Sequence, residues 1–227
     1  MGVRRSAAVT AGAKLAPKVA SGFVRTVLDQ AIDGIGPLRS AAASANTKLV
    51  DHDGDVERAV RGLVRMHASL AGVQGFVTNL GGFAAMAVAV PANVVGVTLV
   101  QCHLVAGIAH LRGYDLEDPR VRNAILACLL GEDEVAALVA KRRLPSSPMA
   151  LATSPVHDPV LDATLSREVT SELVGRTAGR RAVTLIGRRI PLLGGAVGGT
   201  SDAYATWQIG SFAAEELRDR RLRPRDL

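Results

Sequence analysis

The sequence predicts an all-α fold: a multi-helix domain with a central apolar helical hairpin and a Gly-rich C-terminal helix. Three observations predict it. No stretch sustains the two-residue alternation of a half-buried strand. Helix-boundary signals recur, as at Asp118-Pro119, a cap followed by a proline, with Gly131 as the stop. From Met66 to Leu111 the chain carries no Asp, Glu, Lys or Arg. Such a run must be covered by the rest of the chain, by a lipid surface or by a partner.

The elements follow in order. Residues 6 to 33 alternate small apolar and basic side chains, and Arg4, Arg5, Lys14, Lys18 and Arg25 precede the first acid, Asp29. This predicts a basic amphipathic helix that ends near Gly34-Ile-Gly-Pro37. Ala41 to Thr47 reads as a small-residue connector or a continuing helix. Asp51-His-Asp-Gly-Asp55 starts a helix from about Val56 to Leu70. The uncharged run divides at Pro91 into helices over 74–90 and 92–112, with the proline in the first turn of the second. Gly113 closes it. A helix over 119–130 follows, then a short one whose first turn holds Glu132, Asp133 and Glu134, where the helix dipole favours acids. Residues 144–159, with Pro145, Pro148, Pro155 and Pro159 among serines, read as a loop or flexible linker. Helices over about 160–189 and 192–221 complete the chain, and its Arg-rich end is expected to fray. The organisation read from this is a basic amphipathic helix and connector (1–50), a helical domain (51–217) and an Arg-rich tail (218–227).

At 227 residues the chain fits one domain, or one domain plus an appendage. Apolar residues make up 48% but aromatics only 3%, so tight contacts between small side chains are expected rather than a core of large rings. The net charge of +6 points to an anionic partner. Nucleic acid is disfavoured on this reading, because aromatics interleaved with basic residues are missing. Cys102 and Cys128 suggest neither a disulfide framework nor a zinc site, and Cys102 reads as a small buried hydrophobe. The first twenty residues lack the apolar core of a secretory signal. Met-Gly-Val-Arg-Arg-Ser fits a myristoylation pattern at Gly2, but the Ala/Arg/Val-rich composition looks bacterial, a setting where that modification is not expected. A cytoplasmic location is expected, with peripheral attachment at the inner face of the membrane left open.

On a helix over 92–111, Asn93, Gly96, Val100, His103, Gly107 and His110 share one small, polar face. It would line a polar pocket, or pack closely with hydrogen-bonded neutral histidines; the close-packing reading is preferred. Gly195, Gly199, Asp202, Thr206 and Ala213 form a second stripe, with Gly210 at its edge. Asp202 is the only charge between Ile190 and Ala214, so it is expected to reach a polar group on another helix, with His103 or His110 as candidates. Arg176, Arg180, Arg181, Arg188 and Arg189 abut the apolar Ile190-Pro-Leu-Leu, as in a membrane-surface anchor or, equally, a solvated basic face. Asp51, Asp53 and Asp55 fail the register of a calcium loop and read as capping acids. Gly81-Gly82 lacks the Lys-Ser/Thr of a phosphate loop, and no nucleophile elbow is present. The two halves of the apolar run are marginal for membrane spans, so helices buried within a domain are the first reading.

Three separated blocks carry a resemblance. Gly75-Phe-Val-Thr-Asn-Leu-Gly-Gly-Phe83 with Val90-Pro-Ala-Asn93 resembles the central block of the EcsC protein family. So do His110-Leu-Arg-Gly-Tyr-Asp-Leu-Glu-Asp-Pro-Arg120 with Leu129-Leu-Gly131, and Gly187-Arg-Arg-Ile-Pro-Leu-Leu-Gly-Gly-Ala-Val-Gly-Gly199 with Asp202-Ala-Tyr204 and Ile209-Gly210. The likeness runs from about 55 to 215. It implies a helical domain connected with membranes or with their transport and secretion machinery. It implies no catalytic residue. Where the family commonly has an acid, this chain has Asn93.

The expectation is therefore a binding protein without cofactor or metal. Asn93, His103, His110, Asp202 and Tyr204 are the candidate ligand contacts, and the five arginines the candidate phosphate contacts. Its partner would be an anionic membrane surface or an apolar ligand, with a membrane transport protein as a further candidate. Two alternatives stand beside it: an enzyme using Asp202 with His103 or His110, and a structural module that dimerises through its glycine face.

Overall fold

α4 (Gly82–Leu111) is the axle of the molecule. Around it stand α2 (Ala41–Asp51), α3 (Val56–Leu80), α5 (Pro119–Leu130), α8 (Pro159–Ile186) and α9 (Pro191–Glu216). A helix over 22–33, α1, and the short α6 (Glu132–Ala140) and α7 (Pro148–Ala152) complete the set. The computed structural model describes residues 22–80, 82–186 and 191–218, with side chains described for these except at 75–80, 82–93, 174, 176–186 and 191–199. Among the described residues there is no strand, as expected for the all-α class.

Local chemistry sets the helix starts. Ser40 caps α2 by accepting the Ala43 N–H at 3.2 Å. Of the three acids read as caps, Asp55 caps α3, its Oδ1 accepting the Arg58 N–H at 2.9 Å, while Asp51 ends α2 and pairs with Lys48 at 2.7 Å. Asp118 accepts the Arg120 N–H at 2.8 Å, with Pro119 in the first turn of α5. Gly131, at φ 85°, divides α5 from α6, whose first turn carries the three predicted acids. Gly34, at φ +89°, makes the turn from α1 to α2. A Cβ there would lie 2.6 Å from the Leu38 carbonyl, so only glycine fits.

Three predicted boundaries are corrected. Residues 41–51 form a helix in its own right. The loop predicted over 144–159 contains α7, which starts at Pro148, where the ring's fixed φ suits a first turn. The hairpin does not divide at Pro91. α3 continues from Val56 to Leu80, and α4 runs unbroken through Pro91. An interior proline removes one backbone donor without forcing the chain to turn. α4 starts instead at Gly82.

Side-chain pairs give the register. Leu63 meets Gly107 and His67 meets His103, and Gln74 packs on Gly96, so α3 and α4 run antiparallel. Gln101 bonds Thr206 and Leu104 meets Gly210, so α9 runs parallel to α4. α9 is also the most extensive partner of α3. Every residue from Gln101 to Ala109 is buried. Leu104, Ile108, Leu63, Ile125, Leu129 and Leu165 form the centre of the core, each stabilising the fold by about 2 kcal/mol through burial.

Polar ties fix the ends. Arg112, at the close of α4, forks onto Glu57 at 2.5 and 3.0 Å. Tyr114 Oη donates to the Arg218 carbonyl at 3.1 Å. Arg25 anchors α1 to α5 and α8 by donating to Asn123 Oδ1 at 2.8 Å and Ser166 Oγ at 3.0 Å, beside Asp162.

Candidate functional site

The small polar face of α4 packs against α2 and α3. A Cβ on Gly96 would fall on the Gln74 amide, and one on Gly107 would touch Leu63 and Ala45. Glycine at 96 leaves room for the Gln74 side chain, whereas a Cβ at 107 would make ordinary contacts. His103 is buried among these helices, 3% exposed. Its Nε2 lies 3.0 Å from the Arg39 carbonyl and its Nδ1 lies 2.8 Å from Nε2 of His67, itself 2% exposed. His67 Nδ1 completes the chain, 2.9 Å from the Leu63 carbonyl. His110, a turn beyond Gly107, donates from Nε2 to Asn46 Oδ1 at 2.9 Å. The close-packing reading of this face therefore describes what is seen at His103, Gly107 and His110.

Asp202 is buried on the inner side of α9, together with Thr206 and Ala213. The expected partnership with a histidine is not formed. Both ring nitrogens of His103 are taken by His67 and Arg39. Because Thr206 is level with Gln101, Asp202 sits near the level of Val97, and His110 stands about 20 Å away along the helix axis at 1.5 Å per residue. Asp202 and His110 are thus not brought together, and the hydrogen bonds of His103 go to other partners.

Burial dominates the electrostatics. It pushes the His67 imidazole down to about 4, with His103 adding to the shift and the Leu63 carbonyl opposing it. It also lowers His103, against the pull of the Arg39 and Ser40 backbone. The Cys102 thiol is pushed up to about 12 and that of Cys128 is raised too, so neither supplies a thiolate at neutral pH. Among the described residues no group of three or more His, Cys, Asp or Glu is gathered as a metal site.

Tyr204 takes a different place from the other candidates. It lies on the outer side of α9, 59% exposed, stacked on Trp207 with ring centroids 6.0 Å apart. Trp207 is 48% exposed. Asn93, Arg176, Arg180 and Arg181 stand on α4 and α8, but their side chains lie outside those described; Arg188 and Arg189 lie outside the described residues altogether, as do the N-terminal basic residues up to Lys18.

Two residues matter here that the sequence reading did not select. His67 sits 36 positions before its partner, and no local pattern announces the pairing. Trp207 left a signal: it is the chain's only tryptophan, three positions after Tyr204 on one helix face.

The two described cavities are lined by polar and apolar groups together. The larger, about 410 Å³, lies between α1, α2 and the α4–α5 link, lined by Ile32, Ser40, His110, Tyr114, Asp115 and Glu117. It is an open groove rather than an enclosed apolar hollow.

Comparison with curated proteins returns no match, and neither does comparison with solved structures. A family model does match. That of the EcsC protein family aligns with residues 54–222, close to the extent that the three sequence blocks indicated. With most of the chain covered in this way, the protein belongs to the EcsC protein family.

Proposed function

We propose that this chain is a peripheral membrane-binding protein that docks, fully folded, on an anionic lipid surface through the outer side of α9 and the adjoining edge of α3. The observation that carries this reading is the exposed Tyr204–Trp207 stack. The chain has two tyrosines and one tryptophan, and two of these three rings stand together in solvent. Around them Thr200, Ser201 and Gln208 are exposed and uncharged. Tyrosine and tryptophan favour the headgroup level of a bilayer, where the ring is half buried and its polar atom stays wet.

Charge supports the same face. Val64 of α3 meets Gly210 of α9. Arg61 and Arg65 lie a step round α3 from Val64, and Trp207 lies one turn from Gly210, so they flank one seam. Arg58, Arg61 and Arg65 are all exposed. Basic heads beside an aromatic anchor suit a phosphate-bearing surface, each contributing about 1 kcal/mol near anionic lipid.

A spanning mode is less well supported. Val94–Leu111 is long and apolar enough to cross a bilayer, but 67% of that window is buried inside the protein. Uptake of a lipid into a hollow lacks an enclosed apolar cavity among the described residues.

Flotation of the full chain with anionic and with neutral vesicles tests the proposal. Binding to anionic vesicles, weakened by salt and lost in the double variant Y204A/W207A, is the expected result. Failure to float with either vesicle at low salt overturns it. So does flotation that the double variant retains in full.

A further inference from the structure

Proton counting around the buried histidines leads beyond that reading. A carbonyl oxygen only accepts, so His67 Nδ1, 2.9 Å from the Leu63 carbonyl, carries a hydrogen. His103 Nε2, 3.0 Å from the Arg39 carbonyl, carries one for the same reason. A neutral imidazole has one N–H, and both rings have now spent theirs on the backbone. The facing nitrogens, His67 Nε2 and His103 Nδ1, would then present two lone pairs to each other across 2.8 Å. That is a hydrogen-bond distance with no hydrogen in it. One added proton resolves the conflict. A second would set two N–H groups head to head, so the capacity is one.

We propose that His67 and His103 form a buried proton-binding site, in which the two rings together hold three N–H protons and share the third between His67 Nε2 and His103 Nδ1.

The surroundings make the site self-contained. Beside burial, His103 is the only titratable group among the described residues that acts on His67, and His103 in turn feels the Arg39 and Ser40 backbone. Just before α2, the Arg39 side chain turns away to Thr47. From α9 the buried acid is Asp202, about 8 Å along the helix from the level of His67. On α3 itself Arg65 is exposed, and on α4 the neighbouring thiol of Cys102 stays protonated. α5 and α8, packed against α4, bring Cys128 and Glu168, the latter ion-paired with Arg143. No carboxylate among the described residues neutralises the pair, so burial opposes the shared proton, while two carbonyls and the short N–N contact favour it.

The geometry also says which bond gives way when the proton leaves. The Arg39 carbonyl accepts no other hydrogen bond among the described residues. The Leu63 carbonyl already lies within the helical ladder of α3. His103 therefore keeps its N–H on Arg39. His67 becomes the Nε2–H tautomer, donates to His103 and releases Leu63. The site thus links the contact between the start of α2, α3 and α4 to pH.

The test is a histidine-selective ¹⁵N NMR titration of the full chain across its folded pH range. Expected is a single one-proton step felt by both rings, with three N–H protons below it, two above it, and the change at His67 Nδ1. Two N–H protons at every pH at which the chain is folded overturn the proposal, as does independent uptake of one proton by each ring. The variant His67→Gln adds a second measurement. Its amide donates to His103 Nδ1 without any extra proton, so His103 should lose the step. A step that persists unchanged at His103 counts against a shared proton. Should His67→Gln not fold, the wild-type titration decides alone.

Discussion

α4 and α9 lie side by side and run parallel, yet they use uncharged sequence in opposite ways. Over Val94–Leu111, α4 has a mean hydropathy of 1.8 and is enclosed on all sides from Gln101 to Ala109. α9 turns Asp202, its one charge before Glu215, inward and shows two aromatic rings to solvent. The more apolar helix is core, and the less apolar one carries the exposed rings. Lack of charge therefore marks two kinds of surface, one already covered by the fold and one left open. Only the packing of neighbours tells them apart.

The sharpest way to break this contrast is to truncate on each side of it. Leu104→Ala empties fully buried volume and should cost about 2–5 kcal/mol in denaturant unfolding. A loss well under 1 kcal/mol would mean that α4 is not the core helix described here.

A pair of glycines sharpens the comparison at the helix seams. A Cβ at Gly210 would lie 2.9 Å from Leu104 Cδ2 and 3.0 Å from Val64 Cγ2, so Gly210→Ala should destabilise by about 1–3 kcal/mol. At Gly107 the nearest atoms would be 3.4 to 3.7 Å away, so Gly107→Ala should be neutral, or stabilising by up to about 1 kcal/mol through helix propensity. Thermal melts of the two variants check the order. Equal losses would mean that the two seams are equally tight.

Acid should act on the α4 side at the histidine pair. Burial holds the folded pKa of His67 down at about 4, below its unfolded value of about 6.5. The unfolded chain then binds protons first. Stability is present above about pH 6.5 and is lost as pH falls toward 4, by roughly tenfold in the folding equilibrium per pH unit for each ring kept neutral. Above the folded step both rings stay neutral and the pair contributes two such factors; below it the shared proton leaves one. Unfolding curves for wild type and a His67→Gln/His103→Gln variant measure the difference.

The smallest stability effect belongs to the outer face. Trp207→Ala should change unfolding by no more than about 0.5 kcal/mol beyond the loss of its stacking on Tyr204. A large loss would move Trp207 from the open surface into the core and leave the two helices alike.

Much of this architecture was legible in the chain. Asp118-Pro119, Gly131 and the acids at 132–134 mark helix ends by local chemistry, and they stand where that chemistry puts them. The small face of α4 was legible too, because Gly96, His103, Gly107 and His110 share it by helical spacing alone. Long-range choices were not. Pro91 reads as a helix start in any local window, and only the packing of α4 as one rod shows that it lies inside. Asp202 named its need for a polar neighbour but not which helix supplies one. His67 and His103 meet through the register of two antiparallel helices, which no short pattern encodes. Tyr204 was selected from the family-like block, whereas its exposure depends on what the fold leaves uncovered beside it.

The chain's single tryptophan makes the central claim directly measurable, since Trp207 reports its own surroundings with no label. Fluorescence emission of the full chain, titrated with anionic vesicles at low salt, should shift to the blue as the ring leaves water, and return on addition of salt. Emission that stays where it is while vesicles are added to excess would contradict membrane docking through this face.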